Sequence, residues 1–351
     1  MRNKEYYDNP ALSQSKLKLL LGDIRNFLEQ TDEELYYKEF KHFVIGSAVD
    51  CILTKGVFEE EFYVSSLKVK PSDKIKSIVQ YVFDNVDKSD INLLDLGNCT
   101  DTILESCNKH EYFINLKDDT RISKVIKEGM EYFKELINSN GKQVLSSEEY
   151  STILEIVNSL RNNKYTSKYF NELLLSKDEE ILYQTKLFFN YMGVDCKAML
   201  DIIHINHKTK TIIPIDLKTM SSNTVYFDNN VRQNRYDIQA AFYKIALLED
   251  KEFRSKYKEY TIAPFMFIVE SINVGNPLIY VSTPSLLNMG LKGREKRKFY
   301  SEDHELIVYQ KQIKGIKRLI KEYKYYVENG FDTPLDVIEN NGEFLLDWEG
   351  V

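Results

Sequence analysis

The sequence predicts an α/β fold, with a mixed central sheet of about five strands and helices on both faces. Three observations carry this. Residues 179–217 hold three apolar, β-branched runs separated by short turns. A helical run and two further strands follow them. Before them, apolar residues recur mostly at helical spacing.

Taking the elements in order, Ser13 is a plausible N-cap, and Leu17, Leu20, Leu21, Ile24 and Leu28 then recur as one face of an amphipathic helix. Phe43–Thr54 is apolar, and Gly46, Ser47 and Ala48 permit close helix packing. Ile75, Ile78, Val79 and Val82 predict a helix, whereas Asp87–Asp101 reads as a charged loop. Residues 122–139 form another amphipathic pattern. The next helix starts at Ser146 or Ser147, with Glu149 placed for a capping box. Together these make a helical N-terminal elaboration.

Glu179 and Glu180 open a strand that ends at a Met192-Gly193 turn. Val194–Ile205 is the next strand, Asn206–Lys210 a turn, and Thr211–Leu217 a third strand containing Pro214. Asp237–Leu248 reads as a helix; Phe265–Ile272 and Leu278–Val281 read as strands joined by a turn at residues 274–277. A last long helix spans about Glu302–Glu328, and an acidic end with Trp348 follows. The expected boundaries are 1–145, 146–300 and 301–351, within one continuous globular unit.

Composition narrows the class. With 351 residues and 43% hydrophobic content, the chain builds a substantial core. Its net charge of −7 does not advertise a general nucleic-acid binder, so any such contact needs local positive charge. Cys51, Cys99, Cys107 and Cys196 show no paired spacing, as expected of reduced thiols in a cytoplasmic protein. Met1–Pro10 is polar, and no stretch approaches eighteen apolar residues, so neither a signal segment nor a membrane span is expected.

Chemistry concentrates in the hairpin. A hairpin brings its strands side by side, so Asp201 and Asp216 sit close although fifteen positions apart. Lys218, two beyond Asp216, points to the same side. Two adjacent carboxylates repel unless a cation lies between them. Mg²⁺ or Mn²⁺ suits such oxygen ligands and orients a phosphodiester, while a lysine adds positive charge where the transition state gathers negative charge. The plain alternative is a hairpin with two surface aspartates and a lysine. Against it, "IIPIDLK" puts Asp216 at the end of an apolar strand, where a polar residue is unexpected unless it serves a site.

Candidate phosphate contacts are scattered. Ser13 and Ser15 open a helix whose free N–H groups suit an anion. Arg232 and Arg235 lie just before the Asp237 helix. Lys292, Arg294, Lys296, Arg297 and Lys298 fall within seven positions, either a solvated loop or a DNA rim.

These residues resemble the PD-(D/E)xK nuclease superfamily, with Pro214, Asp216 and Lys218 near its signature. More narrowly, segments in order from about Asn9 to Ser282 resemble the phage and prophage exonucleases of the RecE type (exodeoxyribonuclease VIII). Among them are "FVIGSAVDCIL", "IIPIDLKTM" and "YDIQAAFYKIAL". The resemblance implies a restriction-endonuclease-like fold and a Mg²⁺-dependent exodeoxyribonuclease, with Mn²⁺ an alternative ion. It would degrade one strand of linear duplex DNA, 5′ to 3′, in phage-type recombination. Asp201 and Asp216 would hold metal with the backbone carbonyl of Leu217, and Glu180 (or Glu179) would supply a further acid. Gln239 and Tyr243 match a Gln-x₃-Tyr pair beside the active site. The family's glycine-led helix carries a metal-ligating histidine where this chain has Asp50, a departure that leaves Asp50 either a ligand or a plain helix residue. Relatives with an iron–sulfur cluster use late cysteines that this chain lacks beyond Cys196. The implied partners are DNA ends, a single-strand annealing protein of the RecT type and further copies in a ring. The alternative is a structure-specific or single-strand nuclease of the same fold, or a catalytically inactive DNA-binding relative.

Overall fold

The computed structural model describes residues 4–30, 41–67, 71–273, 275–294, 297–300, 306–310, 312–339 and 341–342. They divide into two compact units, one of Met1–Gly56 with Leu154–Val351 and one of Val57–Ile153. The boundaries at 145 and 300 do not coincide with this division, and the Gly46–Asp50 helix, which the resemblance assigns to the nuclease fold although it lies within 1–145, falls in the unit that holds the sheet.

The first unit is built on a six-stranded sheet. Strands β1 (Glu179–Tyr191), β2 (Val194–Asn206) and β3 (Thr211–Met220) form an antiparallel meander. Tyr191 pairs with Val194, and the two loop residues Met192 and Gly193 both have positive φ, +53° and +80°. A two-residue loop of that kind matches the twist of its strands and fixes the register. β3 continues through Pro214, which pairs with Ile203. Next in the chain come β4 (Thr261–Ile262), β5 (Met266–Ser271) and β6 (Leu278–Val281). β4 and β5 lie parallel to β3, and β6 closes the edge antiparallel to β5. A parallel neighbour needs a crossover, and the chain supplies one through the helix Tyr236–Glu249.

The helices serving this sheet are α1 (Gln14–Lys18), α2 (Lys41–Asp50), α3 (Tyr236–Glu249), α4 (Pro284–Lys292) and α5 (Ile316–Asn329). Ser13 caps α1, its hydroxyl accepting from Lys16 N–H at 3.1 Å. The expected long helix over Leu17–Leu28 is instead α1, a 3₁₀ turn Leu19–Leu21 and a short helix Asn26–Glu29, interrupted at Gly22, a weak helix former. Leu17 and Leu20 still enter the core. Lys197, buried in β2, donates to the carbonyls of Tyr6 (2.9 Å) and Asn9 (2.7 Å) and so ties the N-terminal segment to the sheet.

A second correction falls near the C-terminus. Leu306–Gln310 is a strand paired with Arg297–Tyr300, and α5 begins only at Ile316. "LIVYQ" is β-branched and aromatic, and Gly315 stands at the helix start, so local preference overrides the helical spacing. Trp348 and the acidic end lie outside the described residues.

The second unit, Val57–Ile153, has its own core, in which Ile75, Ile78, Val79 and Val82 of the helix Asp73–Asn85 pack with Val125 and Phe133 of the helix Asp118–Ser139. Asp87–Asp101 is not a plain loop; it holds two 3₁₀ turns and buries Leu96. Ser146 and Glu149 form the expected capping box, the carboxylate accepting Ser146 N–H at 2.8 Å and the hydroxyl accepting Glu149 N–H at 3.3 Å. Among the described residues no helix is long and apolar enough to cross a membrane.

Candidate active site

The site lies where β2 and β3 part. Their ladder runs from Asn206–Thr211 to Ile202–Ile215 and stops there. The next pair in that register is Asp201 opposite Asp216. Beyond the last bridge, the freed N–H of Leu217 donates to Asp201 Oδ2 at 3.0 Å. In an extended strand the N–H and C=O of one residue face the same neighbour, so the Leu217 carbonyl is also aimed to the β2 side.

Asp216 is only 1% exposed, and a buried carboxylate has to be paired. Its Oδ1 accepts from Gln239 Nε2 at 2.7 Å, and its Oδ2 forms an ion pair with Lys218. The Lys218 ammonium also lies 5.0 Å from the ring centre of Tyr236. Burial alone would lower the Lys218 pKa, but Asp216, Tyr236 and Asp201 outweigh it and raise the pKa, so the group is an ammonium. Asp201 behaves in the opposite way. Burial, then Asp216, then Asp50 push its carboxyl well above the ordinary range, against the pull of Lys218 and the Leu217 N–H.

Two helices complete the surroundings. Gly46 lets α2 approach β3, since a Cβ there would stand 2.5 Å from Thr219 Oγ1. Asp50 follows one turn later on the same helix face. From α3 come Gln239 and, four residues on, buried Tyr243, which Gln239 hydrogen-bonds. Burial and then Asp216 and Asp201 raise the Tyr243 hydroxyl pKa well above its usual value. Lys218 meets α3 and its neighbour Thr219 meets α2. Successive strand residues face opposite ways, so the sheet is covered on both sides here.

The structure thus brings together Asp201, Asp216, Leu217, Lys218, Gln239, Tyr243 and Asp50. It does not bring Glu180 to them. Glu180 pairs with Ile205 in the ladder and meets His207 at 3.2 Å. That is four positions from Asp201, about 13 Å along a strand. Glu179 is held by His204 at 3.0 Å and pairs with Asn206, one position further still from Asp201. The residue opposite Asp201 on β1 is Gln184, which sequence reasoning missed. The turn could have found it, because Gln184 lies seven residues before Tyr191 and Asp201 lies seven after Val194.

The expected phosphate contacts separate into groups. Arg232 is exposed. Arg235 is engaged in the fold, paired with Asp237 at 2.9 Å and donating to the Lys314 carbonyl at 2.8 Å. Ser13 is buried as the cap of α1, and Ser15 accepts from Gln14 at 2.8 Å. Lys292 is exposed at the end of α4, Arg294 is half-buried, and Arg297 opens the strand Arg297–Tyr300. Lys296 lies outside the described residues, as do the side chains of Arg297 and Lys298.

Among the described residues, no three His, Cys, Asp or Glu side chains form a ready-made metal cage. The arrangement still fits a hard divalent ion. Mg²⁺ is commonly held by one or two carboxylates and retains several waters, rather than filling an all-protein cage. The Asp201–Asp216 pair, with Asp50 in electrostatic reach, is a set of oxygens whose repulsion a cation relieves.

Sequence comparison agrees with this geometry. The chain belongs to the family of PDDEXK-like domains of unknown function (DUF3799), whose model matches residues 73–296, and so to the PD-(D/E)xK nuclease superfamily. Nucleases of this superfamily generally use divalent metal ions. The matched region holds Asp201, Asp216, Lys218, Gln239 and Tyr243 and begins after Asp50. Among solved structures, the chain is similar to a protein from Eubacterium rectale described as a candidate exonuclease, at 14% identity and a TM-score of 0.46, covering 99% of this chain and 95% of that one. No curated protein sequence matches.

Proposed function

We propose that this chain is a Mg²⁺-dependent exodeoxyribonuclease, with Mn²⁺ able to replace Mg²⁺, that degrades one strand of linear duplex DNA. The observation that carries the reading is Asp201 bonded to the N–H of Leu217, the neighbour of Asp216, with Lys218 paired to Asp216. Like charges held close together are destabilising, and a fold keeps them there where a cation or phosphate chemistry requires it.

Asp201, Asp216 and the Leu217 carbonyl would hold the metal. When bound, the ion polarises the phosphodiester and acidifies a water. Lys218 acts as a fixed cation near the phosphate, stabilising the negative charge that builds in the transition state. Gln239 fixes the Asp216 carboxylate by its hydrogen bond. Arg232 and Lys292, both exposed, supply phosphate contacts on an otherwise acidic chain. The RecE-type resemblance supports 5′-to-3′ polarity, a ring of identical subunits, a RecT-type annealing partner and a cytoplasmic role in phage-type recombination.

The experiment offers end-labelled linear duplex, nicked circle and single strand to the purified protein, with and without Mg²⁺, and reads product length over time. The reading expects progressive shortening of linear duplex only, dependent on Mg²⁺. Preference for nicked circle or single strand favours a structure-specific nuclease of the same fold. No cleavage of any substrate leaves an inactive DNA-binding relative.

A further inference from the structure

Gln184 lies in the middle of β1, yet its φ is +46°. Other non-glycine residues with positive φ sit at turns or helix ends, among them Met192, Lys210, Asn140 and Arg235. A left-handed residue inside a strand is strained and persists only where its surroundings over-determine it. The ladder records the disturbance. Tyr183 pairs with Ile202 and Thr185 with Leu200, while Gln184, opposite Asp201, is skipped.

The side chain shows what the backbone turn achieves. Gln184 Nε2 donates to Asp50 at 3.2 Å (Oδ1) and 3.1 Å (Oδ2), and to Thr54 Oγ1 at 2.9 Å. Thr54 Oγ1 itself lies 2.9 Å from Asp50 Oδ1. Here the second helix also departs from regular geometry. α2 ends at Asp50, and Cys51–Lys55 forms a π-turn closed by Gly56 at φ +68°. Such turns are rare and concentrate at functional sites. Two irregular backbones, one in a strand and one in a helix, therefore meet in one hydrogen-bonded cluster beside Asp201.

We propose that Gln184 is a positioning residue of the metal site. Its strained backbone turns the side-chain amide onto Asp50 and fixes that carboxylate beside Asp201, where it meets the ion or one of the ion's waters. The inference rests on reading Asp201 and Asp216 as metal-binding. An amide suits this role because it offers two donors to a carboxylate and adds no charge to a site already crowded with acids.

The test is a calorimetric titration with Mn²⁺, paired with thermal melting of the metal-free protein. It compares wild type, Asp216→Asn, Gln184→Ala and Gln184→Gly. Both Gln184 variants lose the amide, but glycine tolerates the left-handed backbone and alanine does not. The expected result is a Mn²⁺ affinity reduced by about tenfold or more in both variants. Gln184→Gly should melt above Gln184→Ala, which separates the affinity loss from any loss of stability. Wild-type affinity in both variants overturns the positioning role while leaving the metal site in place. If wild type binds no Mn²⁺, or binds it no better than Asp216→Asn, the reading of the site itself fails and the inference falls with it.

Discussion

At the residue scale the site is defined by charges that the fold does not balance. Asp201 has its pKa raised by burial, Asp216 and Asp50, so its ionised form strains the metal-free protein. Asparagine mimics the protonated form and keeps the shape. Asp201→Asn should therefore stabilise the metal-free protein by roughly 1–2 kcal/mol and abolish Mn²⁺ binding. The check is chemical denaturation with and without Mn²⁺. The sign follows from linkage. A carboxyl whose folded pKa is raised contributes stability in its protonated state, and that stability is lost as pH rises through the folded value. The wild-type and variant stabilities should thus converge as pH falls. Asp216 is held by Gln239 and Lys218, so the two aspartates of one pair have unequal environments.

At the element scale, close approach between helices and strands sets the geometry. A Cβ on Gly290 of α4 would stand 1.9 Å from the carbonyl oxygen of Asp237, in the first turn of α3. Gly290→Ala should push α3 away and cost about 1–3 kcal/mol. Because α3 carries Gln239, nuclease activity should fall with stability, which urea denaturation and initial rates together can measure. Near the C-terminus, α5 is clamped by Arg318, which bonds Glu322 at 2.7 Å, Asp336 at 2.7 Å and Glu339 at 2.7 Å. The Arg318 hydrogen bond leads in lowering the Glu339 pKa from 4.5 to about 2. That depressed pKa makes the pair stabilising above the unfolded value. Its contribution is lost as pH falls from about 4.5 toward about 2. The melting difference between wild type and Glu339→Gln should shrink over that window.

Elements were legible in the sequence where local signals and burial agreed. The Met192-Gly193 turn, the alternating strands and the Ser146–Glu149 box all follow from short-range chemistry. The split of the Leu17–Leu28 pattern at Gly22 and the strand Leu306–Gln310 were missed because apolar spacing alone does not decide between element types. For the site, Asp216 stood out as a polar residue ending an apolar strand, Asp201 and Lys218 followed from hairpin and strand spacing, and Gln239 came from the family resemblance alone. Gln184 gave no such signal: a glutamine in an alternating strand is ordinary, and only the register shows it opposite Asp201. Glu180 drew attention by being acidic at a strand start, but its distance from Asp201 along the ladder is a property of the pairing.

At the scale of the whole molecule, two units each bury their own core. The proposed metal-binding residues all belong to the unit of Met1–Gly56 and Leu154–Val351. A ligand that binds only the folded form stabilises it by about 2.7 kcal/mol at a hundred times its dissociation constant. Calorimetric melting should therefore resolve two transitions, with Mn²⁺ raising only the one that belongs to the sheet unit. Asp216→Asn should erase that shift. A uniform rise of both transitions would mean that the units unfold together or that the ion binds elsewhere. Under the proposed function, a net charge of −7 would leave DNA contact to local cations such as the exposed Arg232 and Lys292.

The most direct measurement is Mg²⁺-dependent digestion of end-labelled linear duplex by wild type and Asp216→Asn, with circular dichroism to confirm the fold of both. The account predicts digestion by wild type and a loss of at least about a thousandfold in the variant, at unchanged secondary structure. Digestion by Asp216→Asn at a rate near that of wild type would contradict it.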